Sequence, residues 1–352
     1  MSRLIIKEGN MRLNIILVSL MFLAGSAYAD LTQTNAEEHN STIELKNSEI
    51  LLLKKRVEKL EAELANYKKV KPIATKAGIP IKTITPKKVL KGEKFIAGTS
   101  EPKKLTAYYA SNSQTIEELK LKLQTNGFDI LAIDEIFENK TVISFTNEEL
   151  QNTNSFLSVL HMSVNNDVEI RVQNPSYFGA AFLQDKFIYG QFMETLKALE
   201  SVLGDMYEVK DKYDLSDLPK YHFMLGMPHF RDMIVVARGS DILEKIAETN
   251  TTKYISYVLT LPNGSTLVGH KLDHSTYDYL KKIKAENNVQ IFPYEVIIKD
   301  EKAVMLSPKY YLALSLPLLS MTDFLKIASA PDRIEKEIKI IYEKEKDSTP
   351  KN

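Results

Sequence analysis

The chain of 352 residues contains no cysteine. That absence rules out disulfides, covalently attached haem, cysteine-ligated iron–sulfur clusters and thiol chemistry together. It equally rules out a lipid-modified cysteine behind an export signal. Neither sign of charge is in excess, because 46 Lys and Arg stand against 46 Asp and Glu. A dedicated nucleic-acid binder carries a basic face and a high pI, so nucleic acid is not an expected partner. Long apolar runs are also missing. The run from Leu13 to Ala24 is about a dozen residues, whereas a membrane-spanning helix needs roughly 20. The phosphate-cradling Gly–Lys–Ser/Thr loop, the dinucleotide glycine fingerprint, Gly-x-Ser-x-Gly and His-Glu-x-x-His are all absent. The usual grounds for proposing an enzyme are therefore lacking.

What is present begins at the N-terminus. The short apolar run follows Arg12 and ends in Ala27-Tyr28-Ala29. A basic start, an apolar core and a small-x-small site in that order read as an export signal over residues 1–29. Translation is expected to start at Met11 and cleavage to follow Ala29, which gives a periplasmic protein without lipidation. An uncleaved anchor is the competing reading, and the shortness of the run counts against it. Removing Arg3, Lys7, Arg12 and Glu8 with the signal leaves 43 basic and 45 acidic residues, and the mature chain is expected to lack a transmembrane helix.

A flexible segment, 30–42, leads into a coiled coil expected over 43–68. Ile43, Ile50, Val57 and Leu64 fall at position a, with Lys46, Leu53, Leu60 and Tyr67 at d. A strict a/d stripe is too narrow for one helix to bury alone. Parallel strands would pair Glu49 with Lys54, Arg56 with Glu61 and Glu63 with Lys68, all opposite in sign. β-branched residues at a with leucine at d favour a parallel dimer over a trimer. An amphipathic helix packed on its own domain is the alternative. From Lys68 to Lys104 follow eleven lysines, two glutamates and prolines at 72, 80, 86 and 102. Proline and like charge forbid a helix and favour extension, so 69–103 reads as a linker. Such a basic stretch suits an anionic surface or an envelope partner, and equally a solvated spacer. Ile79, Ile81 and Ile84 leave room for one edge strand docked on the body.

The body contains an internal repeat. Asn174-Pro175-Ser176-Tyr177-Phe178 aligns with Ser307-Pro308-Lys309-Tyr310-Tyr311, and the same offset equates Asp167 with Asp300. Each copy reads as a β-hairpin followed by a helix start. Asn174 and Ser307 are expected to cap the first free amides, and proline suits the first helical position. Upstream, Lys104 to Ala110 precedes the helical spacing Ile116-Leu119-Leu123, with Gly127 as a stop. Tyr254 to Leu261 and Tyr277-Leu280-Ile283 are expected to play the same parts in the second copy. Strand, helix, hairpin and helix predict an α+β protein of two related sheet-plus-helix domains. The expected boundaries are 104–204 and 253–342, with a connecting segment over 205–252 and a disordered tail over 343–352.

On that element order and the proline after each hairpin, Leu105 to Leu203 and Tyr254 to Ile340 resemble divergent copies of the bacterial domain-of-unknown-function family 302. The resemblance implies a small α+β fold, often in exported proteins, and brings no catalytic residues with it.

Candidate chemistry concentrates in the run from Tyr221 to Met233. His222, His229 and Asp232 are expected as a buried polar cluster or ligand contact, alongside the repeated Tyr177 and Tyr310 at the seam between copies. The repeated tyrosines also suit anchoring of helix to sheet through a buried ring and a satisfied hydroxyl. His222, Met224, Met227 and His229 together suit copper, with His222 and Met224 on one face if the segment is a strand. Packing around a turn at Gly226 is the competing use of those methionines. His270 and His274 flank Asp273 as a weaker metal or acid–base trio. Asn40 and Asn250 sit in an acidic-extended glycosylation pattern. The expectation is a non-catalytic binding or scaffold protein of the bacterial envelope, without a cofactor. The alternatives are a copper-binding protein and an enzyme of unrecognised type.

Overall fold

The structure is a computed structural model that describes residues 90, 92–98, 100–165, 168–248 and 251–343. The expected signal 1–29, segment 30–42, coil 43–68 and most of the linker lie outside the described residues, as do Asp167, Asn250 and the tail from 344.

The first half holds β1 (Lys104–Thr106), β2 (Tyr108–Ser111), α1 (Ile116–Thr125), β3 (Asp129–Phe137), β4 (Lys140–Thr146), β5 (Leu160–Asn165) and β6 (Glu169–Gln173). It continues through α2 (Pro175–Leu183), α3 (Met193–Leu203), β7 (Tyr207–Glu208) and β8 (Lys212–Asp214). The second half holds β9 (Ile234–Arg238), α4 (Ile242–Glu248), β10 (Ile255–Thr260), β11 (Thr266–His270), β12 (Tyr294–Lys299) and β13 (Lys302–Met305). It ends with α5 (Pro308–Ser315) and α6 (Ala330–Glu343). The protein is α+β.

One sheet runs β3-β4-β5-β6-β2-β7 and the other β10-β11-β12-β13-β9. All recorded pairings are antiparallel. Setting β7 aside, the two orders are the same: a strand, a helix, four consecutive strands and a second helix, with the opening strand returning beside the last. The two halves thus share one strand order, and in it the second half opens earlier than the expected boundary. The equivalent of β2 is β9 and the equivalent of α1 is α4, so the second copy starts at Ile234 rather than 253. The shift has a physical source. β9 is an edge strand with Val235 exposed and Val236 buried, and it follows a run with no period of its own. Residues 205–252 are also more than a connection, since β7 extends the first sheet, β8 pairs with β1 and β9 closes the second sheet. The end of the linker docks too: Phe95 donates its amide to the Met206 carbonyl at 2.8 Å and packs its ring 5.2 Å from Tyr109.

Local signals explain most elements. Thr115 and Glu118 form a capping box at the start of α1, Leu119 and Leu123 are its buried stripe, and Gly127 follows at φ +83°. Glycine, having no Cβ, enters that region at no steric cost. At α2 the Asn174 side chain accepts from the Ser176 amide at 3.0 Å. Pro308 likewise opens α5, but the expected side-chain cap from Ser307 is missing. The β12–β13 turn places Asp300 and Glu301 at φ +48° and +57°, the paired left-handed conformation that a two-residue hairpin requires.

The two halves pack reciprocally. A single 3₁₀ turn, Phe156–Ser158, precedes β5, and its repeat equivalent, Val289–Ile291, precedes β12. The first turn contacts β12, and the second contacts β4, β5 and β6. All six residues are buried. Polar side chains fasten the same seam. Lys140 donates to the Asn287 side chain at 2.9 Å and to the Glu286 carbonyl at 3.0 Å, and Arg171 donates to Asn288 at 2.7 Å.

Helix α6 docks through Ile334, Ile338, Ile341 and Tyr342, spaced as one helical stripe. Its Tyr342 hydroxyl reaches His270 Nε2 at 3.0 Å, while His270 Nδ1 lies 3.1 Å from the Val268 carbonyl. The ring is thus satisfied as a neutral imidazole, donating at Nδ1 and accepting at Nε2. Burial pushes its pKa down from 6.5 to about 4. The unfolded chain binds this proton more readily, so stability is complete above about pH 6.5 and falls as pH drops toward 4. The full loss is on the order of 3 kcal/mol. Unfolding free energies measured from pH 7 to 4 should show it, and His270→Leu should flatten that interval by one proton's slope. An unchanged slope in the variant would refute this role for His270.

Among the described residues, no helix is long and apolar enough to cross a membrane.

Candidate functional site

The repeated tyrosines lie in the core. Tyr177 is fully buried and donates its hydroxyl to the Leu314 carbonyl at 2.9 Å, which ties α2 to α5. Repeat symmetry would have Tyr310 return the bond to Ala181. Instead its ring packs 5.9 Å from Tyr221 and 6.2 Å from Phe230, and its buried hydroxyl has no hydrogen-bond partner among the described residues. The two phenols should therefore respond oppositely to deletion. Tyr177→Phe is expected to cost about 1 kcal/mol, the worth of a net buried hydrogen bond. Tyr310→Phe should be neutral or stabilising, because it removes an unpartnered polar atom. Chemical denaturation of the two variants settles it, and equal losses would be the contrary result.

The run Tyr221 to Met233 lies between the 3₁₀ segment Leu215–Lys220 and β9 and contains no strand, so the face that His222 and Met224 would share on one is not formed. It is a turn instead. The Met227 amide donates to the Met224 carbonyl at 2.9 Å, and Gly226 sits at φ +83°. Two aromatic pins hold it: Phe223 packs 5.1 Å from Phe324, and Phe230 stacks 5.6 Å from Phe182. Between the pins the turn folds the imidazoles of His222 and His229 together, with ring centroids 4.6 Å apart at 42°. Both rings are partly exposed rather than buried. The Asp232 carboxylate does not bond either ring and instead accepts from the His229 backbone amide at 2.9 Å. At the tip, Leu225 is 97% exposed.

His270 and His274 do not act together. The first faces Tyr342 in the core. His274 lines an open cleft of about 350 Å³ with Glu135, Glu138, Asp278 and Lys281. Among the described residues, no three His, Asp or Glu side chains are grouped closely enough to hold a metal ion.

A second polar constellation gave no sequence signal of its own. His161 on β5 faces two groups: its Nδ1 lies 3.0 Å from the Ser144 hydroxyl on β4, and its Nε2 lies 3.4 Å from Glu295 on β12. The same Glu295 oxygen accepts from the Tyr257 hydroxyl on β10. Burial, and secondarily the Glu295 charge, pushes the Tyr257 pKa well up, so the phenol keeps its proton and donates. Hydroxyl, imidazole and carboxylate in sequence resemble a nucleophilic relay. Here, however, Ser144 is 0% and His161 1% exposed. A nucleophile without access to substrate does no chemistry, and this chain of groups instead joins the two sheets. The strands carrying it alternate apolar and polar residues in the ordinary way, and a polar residue facing the second sheet looks like one facing solvent.

Gly269 makes that arrangement possible. On adjacent strands Tyr257, Gly269 and Glu295 stand in one row. The Tyr257 ring crosses directly over the glycine, where a Cβ would lie 2.5 Å from a ring carbon. Comparison of the chain with protein-family models, with curated proteins and with solved structures returned no significant match.

Proposed function

We propose that this chain is a non-catalytic binding or scaffold protein of the bacterial cell envelope. It is exported through residues 1–29, paired through a parallel coil over 43–68 and held near anionic surface by its lysine-rich linker. The observation that carries the binding reading is the pinned turn from Tyr221 to Met233. It packs two half-buried aromatic anchors, Phe223 and Phe230, against the core and presents Leu225, Met224, Met227 and two imidazoles at the surface. Helical residues beside its Phe324 anchor, Met321 and Leu325, are also exposed, as is Leu318. Apolar side chains gathered at one solvent-facing place mark interaction surfaces more often than singly scattered ones do. The resemblance to family 302 is consistent with this reading, because that family includes exported proteins and supplies no catalytic set.

Two measurements test it. Sedimentation of the mature chain against one beginning at Leu90 should give a dimer and a monomer respectively, and two monomers would overturn the self-association. Cross-linking in the host envelope, followed by recovery of the chain, should retrieve one recurrent species that Leu225→Asp removes. Recovery from the cytoplasm alone, or a profile that the variant leaves unchanged, would overturn the binding reading.

A further inference from the structure

The chain has six histidines. Of the five that are described, His161 and His270 are enclosed in the core and His274 lines the cleft near Tyr277. His222 and His229 alone place their rings against each other, 4.6 Å between centroids. Their contact is not the by-product of a regular element. It is produced by a glycine turn and held from both sides by the Phe223–Phe324 and Phe230–Phe182 ring contacts. His222 Nδ1 lies 3.3 Å from the Lys220 carbonyl. An N–H donated there fixes the tautomer and leaves the Nε2 lone pair available. The turn between the imidazoles carries the thioethers of Met224 and Met227, both partly exposed. No cysteine anywhere in the sequence competes for a soft ion.

Two neutral imidazoles and a thioether form a donor set for a low-coordinate, soft cation. Hard cations prefer oxygen, and a structural zinc site wants four ligands with thiolate or further imidazole. Asp232, the nearby carboxylate in sequence, accepts from the His229 amide, and one carboxylate falls far short of the six or more oxygens a hard cation takes. We propose that His222 and His229, completed by Met227 or Met224, form a Cu(I) site on this turn. The site goes beyond the envelope-binding reading and stands on geometry that does not depend on export or on the coil.

The test uses the full mature chain. Under anaerobic conditions Cu(I) is titrated in competition with bicinchoninate. One equivalent per chain is expected, and His222→Ala and His229→Ala should each weaken it by about tenfold or more. Met224→Leu and Met227→Leu identify the thioether, since only the ligand's replacement should weaken binding. Titration with Ag(I), a redox-inert probe of the same coordination class, should shift the ring-proton resonances of His222 and His229 and one methionine methyl in the unaltered protein. That measurement decides the matter even where a histidine variant fails to fold. No stoichiometric Cu(I) binding, affinity unchanged in both histidine variants, or Ag(I) shifts confined to His39 or His274 would each overturn the site. Failure of the copper titration would leave the envelope recovery and its Leu225→Asp control unaffected, so the two proposals fail separately.

Discussion

Gly269→Ala is expected to destabilise the protein by about 3 kcal/mol, lowering the thermal midpoint by roughly 6–12 °C. The sign runs against the usual effect of this exchange. In a strand, alanine ordinarily improves on glycine by roughly 0.5–1 kcal/mol, because less backbone freedom is lost on folding. Gly269 is not in the left-handed region, so backbone conformation offers no reason to keep it. The reason is the Tyr257 ring, three of whose carbons would lie 2.5–2.9 Å from the new Cβ. The ring cannot simply swing aside, because its hydroxyl is fixed on Glu295. Tyr257→Ala in the same chain removes the obstacle, and the two losses should then be strongly non-additive. A neutral or stabilising Gly269→Ala would show that Tyr257 does not lie where the structure places it.

The second large effect is expected at Glu295. Glu295→Ala removes the acceptor for the Tyr257 hydroxyl and leaves that buried donor unpartnered, and it should cost about 2–3 kcal/mol. Tyr257→Phe alone should cost about 1.5–3 kcal/mol, as a lost hydrogen bond to a charged group. In the Glu295→Ala background the same Tyr257→Phe should cost almost nothing. A double-mutant cycle read by chemical denaturation measures that coupling directly. Additive losses would mean that the phenol and carboxylate do not share a bond. Glu295→Gln provides the intermediate case, since it keeps an acceptor oxygen and gives up the charge.

These two sites mark the limit of what the sequence made legible. The hairpin-then-helix repeat was readable because it is local: Asn174-Pro175 and Ser307-Pro308 announce helix starts by their own chemistry. The position of α1 was readable for the same reason, through the spacing of Ile116, Leu119 and Leu123 and the stop at Gly127. β3 with β4, β9 with α4, and β11 were not recognised. The polar ends of β3 resemble a loop, and Leu267-Val268-Gly269 before two histidines resembles the approach to a cap. β9 found its partner β13 more than sixty residues later, a pairing that no local pattern encodes. The same holds for the candidate site. His222 and His229 were legible as residue types and Gly226 as a turn, but no local pattern tells that the turn brings the two rings together. Tyr177 and Tyr310 were legible as a repeated pair. Their environments differ because Tyr221 and Phe230, which belong to neither repeat's shared pattern, fill the space around one of them.

The reciprocal turns give the order of synthesis a meaning. Phe156–Ser158 needs β12 as its floor, and β4, β5 and β6 need Val289–Ile291 as their cover. The first sheet therefore lacks this cover until residue 291 has been added, well over a hundred residues after β6. Contacts so distant in sequence form slowly. A nascent chain built this way has its closing piece withheld until that turn is made.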